Sequence, residues 1–157
     1  MKTRCLVPVD KSADSLKAVD YVAKHIPPDT TVTLFSVLPD QASGCDLGGP
    51  SVTPLFKENM RSFCVSEEVE TASVKGFIDE AKKTLMRAGF PSKNVVTMIR
   101  KKRRGIANDI LRVAKLGKYD TVVVGRRELS GINKLLAGSV SGKVLEKAKD
   151  VSVIVVN

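Results

Sequence analysis

Tryptophan is absent from this chain, tyrosine and phenylalanine number only two and five, and there is one histidine, His25. With so few rings, the core must be built from aliphatic side chains. A single histidine gives little support to a hydrolytic triad or a His-rich metal site. His25 stands just before Pro27 at a helix end, where a cation suits the helix dipole, so it reads as structural. The three cysteines, Cys5, Cys45 and Cys64, are odd in number and follow no metal-ligand spacing. Free thiols in a reducing compartment are the simplest account. No apolar run approaches the roughly 18 residues that crossing a bilayer takes. The chain enters a strand-like segment by Cys5, which leaves no room for a signal peptide. A cytoplasmic protein without a membrane segment is therefore expected.

Positive charge is what the chain has in excess. A net charge of +9 and a pI near 9.6 make anionic partners plausible, whether nucleotides, nucleic acid or acidic proteins, and say nothing about fold. At 157 residues one domain is expected, large enough for a core without staples.

Short apolar runs alternate with helical periodicity. Cys5–Val9 reads as a strand ended by Asp10, and Ser12 caps a helix whose apolar face is Leu16, Val19, Val22/Ala23 and Ile26. Thr31–Leu38 is the second strand. Residues 39–66 show no period, and a gap of about 28 residues predicts either a functional lid or a variable insertion. A long helix is predicted from Glu67, facing inward through Val69, Ser73, Phe77/Ile78, Ala81, Leu85 and Ala88. Val95–Ile99, Thr121–Val124 and Val151–Val156 complete the strands. Helices with faces Ile106/Ile110/Val113/Ala114/Leu116 and Val140/Val144/Leu145/Ala148 lie between them. Strands apolar on both faces and alternating with helices imply an α/β fold, an open doubly wound sheet of five parallel strands covered on both faces. Ligands of such sheets sit beyond the carboxyl ends of strands, where strand order reverses.

The candidate chemistry falls there. Val122-Val123-Val124-Gly125-Arg126-Arg127-Glu128 ends an apolar run on a glycine, and Gly138-Ser139-Val140-Ser141 opens a helix. Two readings fit: the glycine and the helix N-terminus cradle a phosphate, or they turn the chain and cap the helix. The segment is not a P-loop, since three residues rather than four separate Gly138 from Gly142 and Val144 follows Lys143. Asp10 either accepts hydrogen bonds from a ribose or adenine, or helps hold Mg²⁺ through water, or simply starts a helix. Arg100-Lys101-Lys102-Arg103-Arg104 either clamps phosphates or forms a solvated basic face. It lacks the interleaved aromatics that nucleic-acid readers use for stacking, so a nucleic-acid partner is not expected.

These residues resemble the universal stress protein family from end to end. The resemblance is carried by Leu6-Val7-Pro8-Val9-Asp10-Lys11-Ser12, Val32–Val37, Gly105–Leu111, Tyr119–Arg127 and Gly138–Ser141. It implies a five-stranded parallel sheet of the adenine nucleotide alpha hydrolase type. It also implies a homodimer joined near the last strand, and an adenine nucleotide, ATP or AMP, in some members. The family's phosphate loop reads Gly-x₂-Gly-x₉-Gly-Ser/Thr, and here Glu128 replaces the middle glycine. By this resemblance Pro8, Val9, Asp10 and Val37 line the adenine and ribose. Gly125, Gly138, Ser139, Val140 and Ser141 hold phosphates, with Arg126 beside them. On charge alone, Arg126, Arg127 and the Arg100–Arg104 run can offset Glu128. The expectation is a stress-response or signalling domain that binds nucleotide without substantial catalysis. The alternative is a nucleotide-free module docking an acidic protein through its basic edge.

Overall fold

In a computed structural model, residues 2–38, 54–126 and 140–157 are described, with side chains for all of these except 54–67. The strands are β1 (Arg4–Pro8), β2 (Thr31–Leu38), β3 (Val95–Lys101), β4 (Thr121–Gly125) and β5 (Ser152–Val156). The helices are α1 (Ala13–His25), α2 (Pro54–Arg87), α3 (Ile106–Leu116) and α4 (Val140–Lys147). All strand pairs are parallel, in the order β3-β2-β1-β4-β5.

This order fixes where the helices go. From β1 the chain steps outward to β2 and β3, then returns to the other side of β1 for β4 and β5. With right-handed crossovers, the direction of travel decides the face. Helices α1 and α2 accordingly share one face and α3 and α4 the other. Strand residues alternate between them: Cys5, Val7, Val32, Leu34 and Val123 pack with Ala18, Val19, Val22, Ile78, Ala81 and Leu85. Leu6, Phe35, Val122 and Val124 pack with Ala107, Ile110, Ala114 and Val144. Each fully buried Val, Leu, Ile or Phe contributes about 1.5–3 kcal/mol by leaving water, and these two layers hold the helices to the sheet.

The fold differs from the expected pattern in three places. Helix α2 begins at Pro54 rather than at Glu67, so the segment between β2 and α2 is shorter than the 39–66 insertion read from the sequence. Residues 39–53 lie outside the described residues. Proline suits a first helical position, where its missing N–H would have had no partner anyway. Second, the buried stripe of α2 is Val74, Ile78, Ala81 and Leu85, with Val69 63% exposed and Ser73 and Ala88 exposed. In α1 the stripe is Ser15, Ala18, Val19 and Val22, with Leu16 outward. Third, β3 continues to Lys101, because Ser36, Val37 and Leu38 of β2 pair with Ile99, Arg100 and Lys101. Two cations of the basic run therefore belong to an edge strand.

Candidate functional site

The reversal of strand order lies between β1 and β4, and a cleft opens there at their carboxyl ends. Pro8, Val9 and Asp10 form one side, Val124 and Gly125 the other, and Val140 and Ser141 at the start of α4 close the end beside β4. Phe35 and Val37 of β2 with Ile106 and Ile110 of α3 make an apolar wall at the opposite end. The enclosed volume is about 100 Å³. Ligand clefts usually measure about 300–1,000 Å³, so the described walls enclose one moiety of a ligand, the size of a base or a sugar.

Asp10 sits on the rim, and its Oδ1 is the centre of a hydroxyl cluster. It accepts from the Ser12 backbone N–H at 2.9 Å, from the Ser15 hydroxyl at 2.7 Å and from the Ser12 hydroxyl. The Asp10 N–H donates to Ser15 Oγ at 2.9 Å, and Ser12 Oγ also accepts the Ser15 N–H at the cap of α1. Asp10 is thus both a helix-start residue and an acceptor presented to the cleft. Ser12, Ser15 and Asp14 line the cleft as well. The spacing Asp10-x-Ser12-x-x-Ser15 is the signal that places them there, because an aspartate just before a capped helix is met by hydroxyls from its first turn.

Gly125 has a different reason to be glycine from the phosphate approach its motif suggested. A Cβ there would lie 2.1 Å from the Asp14 carbonyl oxygen and 2.4 Å from its carbon. The first turn of α1 therefore rests directly on β4, and Gly125 permits that contact. Arg126 was expected beside the phosphates, yet it does not line the cleft. Its N–H donates to Val156 O at 2.7 Å and its guanidinium reaches Asn157 Oδ1 at 3.3 Å. The β4–β5 ladder simply continues one residue past Gly125 and carries Arg126 toward the C-terminus. Gly138 and Ser139, with Arg127 and Glu128, lie outside the described residues. Pro8, Val9, Asp10, Val37, Gly125, Val140 and Ser141 line this one cleft.

A buried carboxylate to which the sequence assigns no role stands on α3 between Ile106 and Ile110 of the apolar wall. Asp109 is 8% exposed and accepts the backbone N–H groups of Arg103 at 2.8 Å and Arg104 at 3.2 Å. It pins the turn between β3 and α3, and Gly105, at φ 99°, completes that turn in a backbone region that other residues enter only with strain. Among the described residues no three His, Cys, Asp or Glu side chains gather as a metal cluster. No helix there is long and apolar enough to cross a membrane.

A five-stranded parallel α/β sheet with its cleft at the switch point is the architecture of nucleotide-binding folds. The chain belongs to the universal stress protein family, whose profile matches residues 1–157. Solved structures agree in fold. Universal stress protein UspA from Lactobacillus plantarum is 22% identical at a TM-score of 0.67, over 99% of this chain and 97% of that one. A universal stress protein in complex with cAMP is 20% identical at a TM-score of 0.68, over 99% and 97%. The universal stress protein from Archaeoglobus fulgidus in complex with dAMP is 17% identical at a TM-score of 0.63, over 100% and 98%. No curated protein matches the sequence.

Proposed function

We propose that this chain is a cytoplasmic stress-response or signalling domain that holds an adenine nucleotide, AMP or ATP, in the cleft between β1 and β4, without substantial catalysis. One observation carries the reading. An apolar wall (Phe35, Val37, Ile106, Ile110), a hydroxyl-acceptor cluster centred on Asp10 and the first turn of α4 converge in one cleft at the switch point. The wall suits a purine, Asp10 suits ribose hydroxyls, and the positive end of α4 suits a phosphate. The two relatives solved with cAMP and dAMP support the same ligand class. Mg²⁺ would arrive with a triphosphate, with Asp10 near enough to the cleft to engage it through water.

Glu128 adds a carboxylate to the loop that completes the phosphate end in the family. A carboxylate about 4 Å from a phosphate opposes binding by several kcal/mol at a surface dielectric, so the triphosphate binds weakly. Calorimetry with AMP, ADP and ATP on pure protein tests the reading. Heat and a thermal shift are expected, with ATP tightened by Glu128→Gly and all three weakened by Asp10→Ala. The absence of both heat and thermal shift at millimolar nucleotide would refute it.

The same reading includes a homodimer through β5. Among the described residues this edge strand pairs only with β4, and Val153, Ile154, Val155 and Val156 are all half-buried where a central strand would hide them. Edges of that kind invite pairing with a second copy. Sedimentation equilibrium should give twice the 17.0 kDa of the chain. A monomer at micromolar concentration would contradict it.

A further inference from the structure

The apolar end of the cleft lies near the longest run of cations in the sequence, Arg100–Arg104. Val37, which lines the cleft, is the register partner of Arg100 on β3. Met98, two residues earlier on β3, packs with Phe35 and Val37 in the core under α3 and α4. Side chains alternate along a strand, so Arg100 faces the same side of the sheet as that core and the cleft wall. At the other end of the turn, Arg103 and Arg104 stand just before Gly105 and Ile106, and Ile106 is again a lining residue. None of the run lines the cleft itself, but it borders two lining residues, Val37 in strand register with Arg100 and Ile106 two residues after Arg104.

The run is also held in place. The Lys102 N–H donates to Leu38 O at 2.8 Å, and the Arg103 and Arg104 N–H groups end on the buried Asp109. All five side chains are exposed. The ion pairs found among the described residues, Lys11–Glu70, Lys17–Asp14 and Lys83–Glu80, involve none of Arg100, Arg103 and Arg104. Ordering adjacent like charges opposes their repulsion, and solubility alone asks for no such anchor. Three ordered arginines outside any of these ion pairs, beside a binding cleft, make an anion site in waiting.

We propose that Arg100, Arg103 and Arg104 form a second phosphate subsite at the base end of the cleft. The ligand class is then an adenine nucleotide that carries a further phosphate beyond its 5′ group. This rests on the nucleotide reading above and names its ligand more closely. The further phosphate comes either from phosphorylation of the ribose or from a second nucleotide joined through its 3′ oxygen.

Calorimetry on the full chain at low salt, with 5′-AMP, adenosine 3′,5′-bisphosphate and the dinucleotide pApA, tests it. At least one of the doubly phosphorylated ligands should bind ten-fold or more tighter than AMP. That advantage should shrink as salt rises and disappear in Arg100→Gln and in the double variant R103Q/R104Q, with AMP affinity unchanged. A preference for the bisphosphate alone identifies ribose phosphorylation, and a preference for pApA alone identifies the dinucleotide. AMP binding with no gain from either ligand overturns the subsite and leaves the cleft assignment standing. A gain that survives both variants also overturns it. Failure of all three ligands removes the cleft assignment and the subsite together. A polyglutamate peptide that binds wild type but neither variant, with no bisphosphate preference, assigns the run to an acidic protein and overturns the proposal. Thermal melts of the variants matching wild type establish that these exposed substitutions leave the fold intact.

Discussion

At the scale of single residues, Gly125 shows how one position serves fold and site together. Its missing side chain lets the Asp14 carbonyl rest on β4, and this contact sets the start of α1, where Asp10, Ser12 and Ser15 assemble. Gly125→Ala forces a methyl into a 2.1 Å contact with backbone that has no rotamer to yield. A loss of roughly 1–3 kcal/mol is expected, as for other overpacked interiors. Differential scanning calorimetry should show it as a lower Tm, and an unchanged Tm would contradict the contact. Cys5 gives a second prediction. Burial pushes its thiol up from 9.0 to about 12. The folded protein therefore holds the proton more tightly than the unfolded chain. The resulting stability is complete below about pH 9 and drains away as pH rises toward 12. Urea unfolding of wild type against Cys5→Ala should show a gap that narrows above pH 9, whereas parallel curves would refute the assignment. The sequence made Asp10 and Gly125 visible because both end apolar runs. It hid the role of Asp109, since a carboxylate one turn into a helix looks like any solvated acid until its N–H partners are seen.

At the scale of elements, strand identity was legible because continuous apolar runs have few alternatives in a covered sheet. Helix faces were less so. In α1 the buried stripe includes small residues, Ser15 and Ala18, which the larger Leu16 outweighs in the sequence pattern; in α2 the pattern holds at Ile78, Ala81 and Leu85 but favours Val69 and Ser73 over the buried Val74. Small residues lie inward because helices rest closely on the sheet, as the Asp14–Gly125 contact shows. The start of α2 at Pro54 is masked in the sequence by the glycines and prolines around it (Gly48-Gly49-Pro50, Pro54), although Phe56, Met60 and Phe63 do fall at helical spacing. The extension of β3 through Arg100 and Lys101 escaped notice because cations are poor strand markers, yet register with Val37 and Leu38 carries the ladder on. That extension is what brings Arg100 beside the cleft.

At the scale of the whole molecule, the return of the chain from β3 to β4 creates both the cleft and its asymmetry. The apolar wall and the basic turn lie on the β2–β3 side, and the α4 N-terminus lies on the β4 side. A ligand with an apolar base and anionic groups fits that arrangement in one orientation, with its 5′ phosphate toward α4. The architecture was readable from the alternation of elements, and the cleft followed from the switch-point rule. The central claim is that an adenine nucleotide occupies this cleft. Titration of ¹⁵N-labelled protein with AMP, followed by amide NMR, tests it most directly. Saturable shifts should cluster at Val9, Asp10, Ser12, Val37, Gly125, Val140 and Ser141 and leave the outer faces of α1 and α2 unmoved. An unchanged spectrum at millimolar AMP, or shifts confined to residues away from the β1–β4 cleft, would contradict the account.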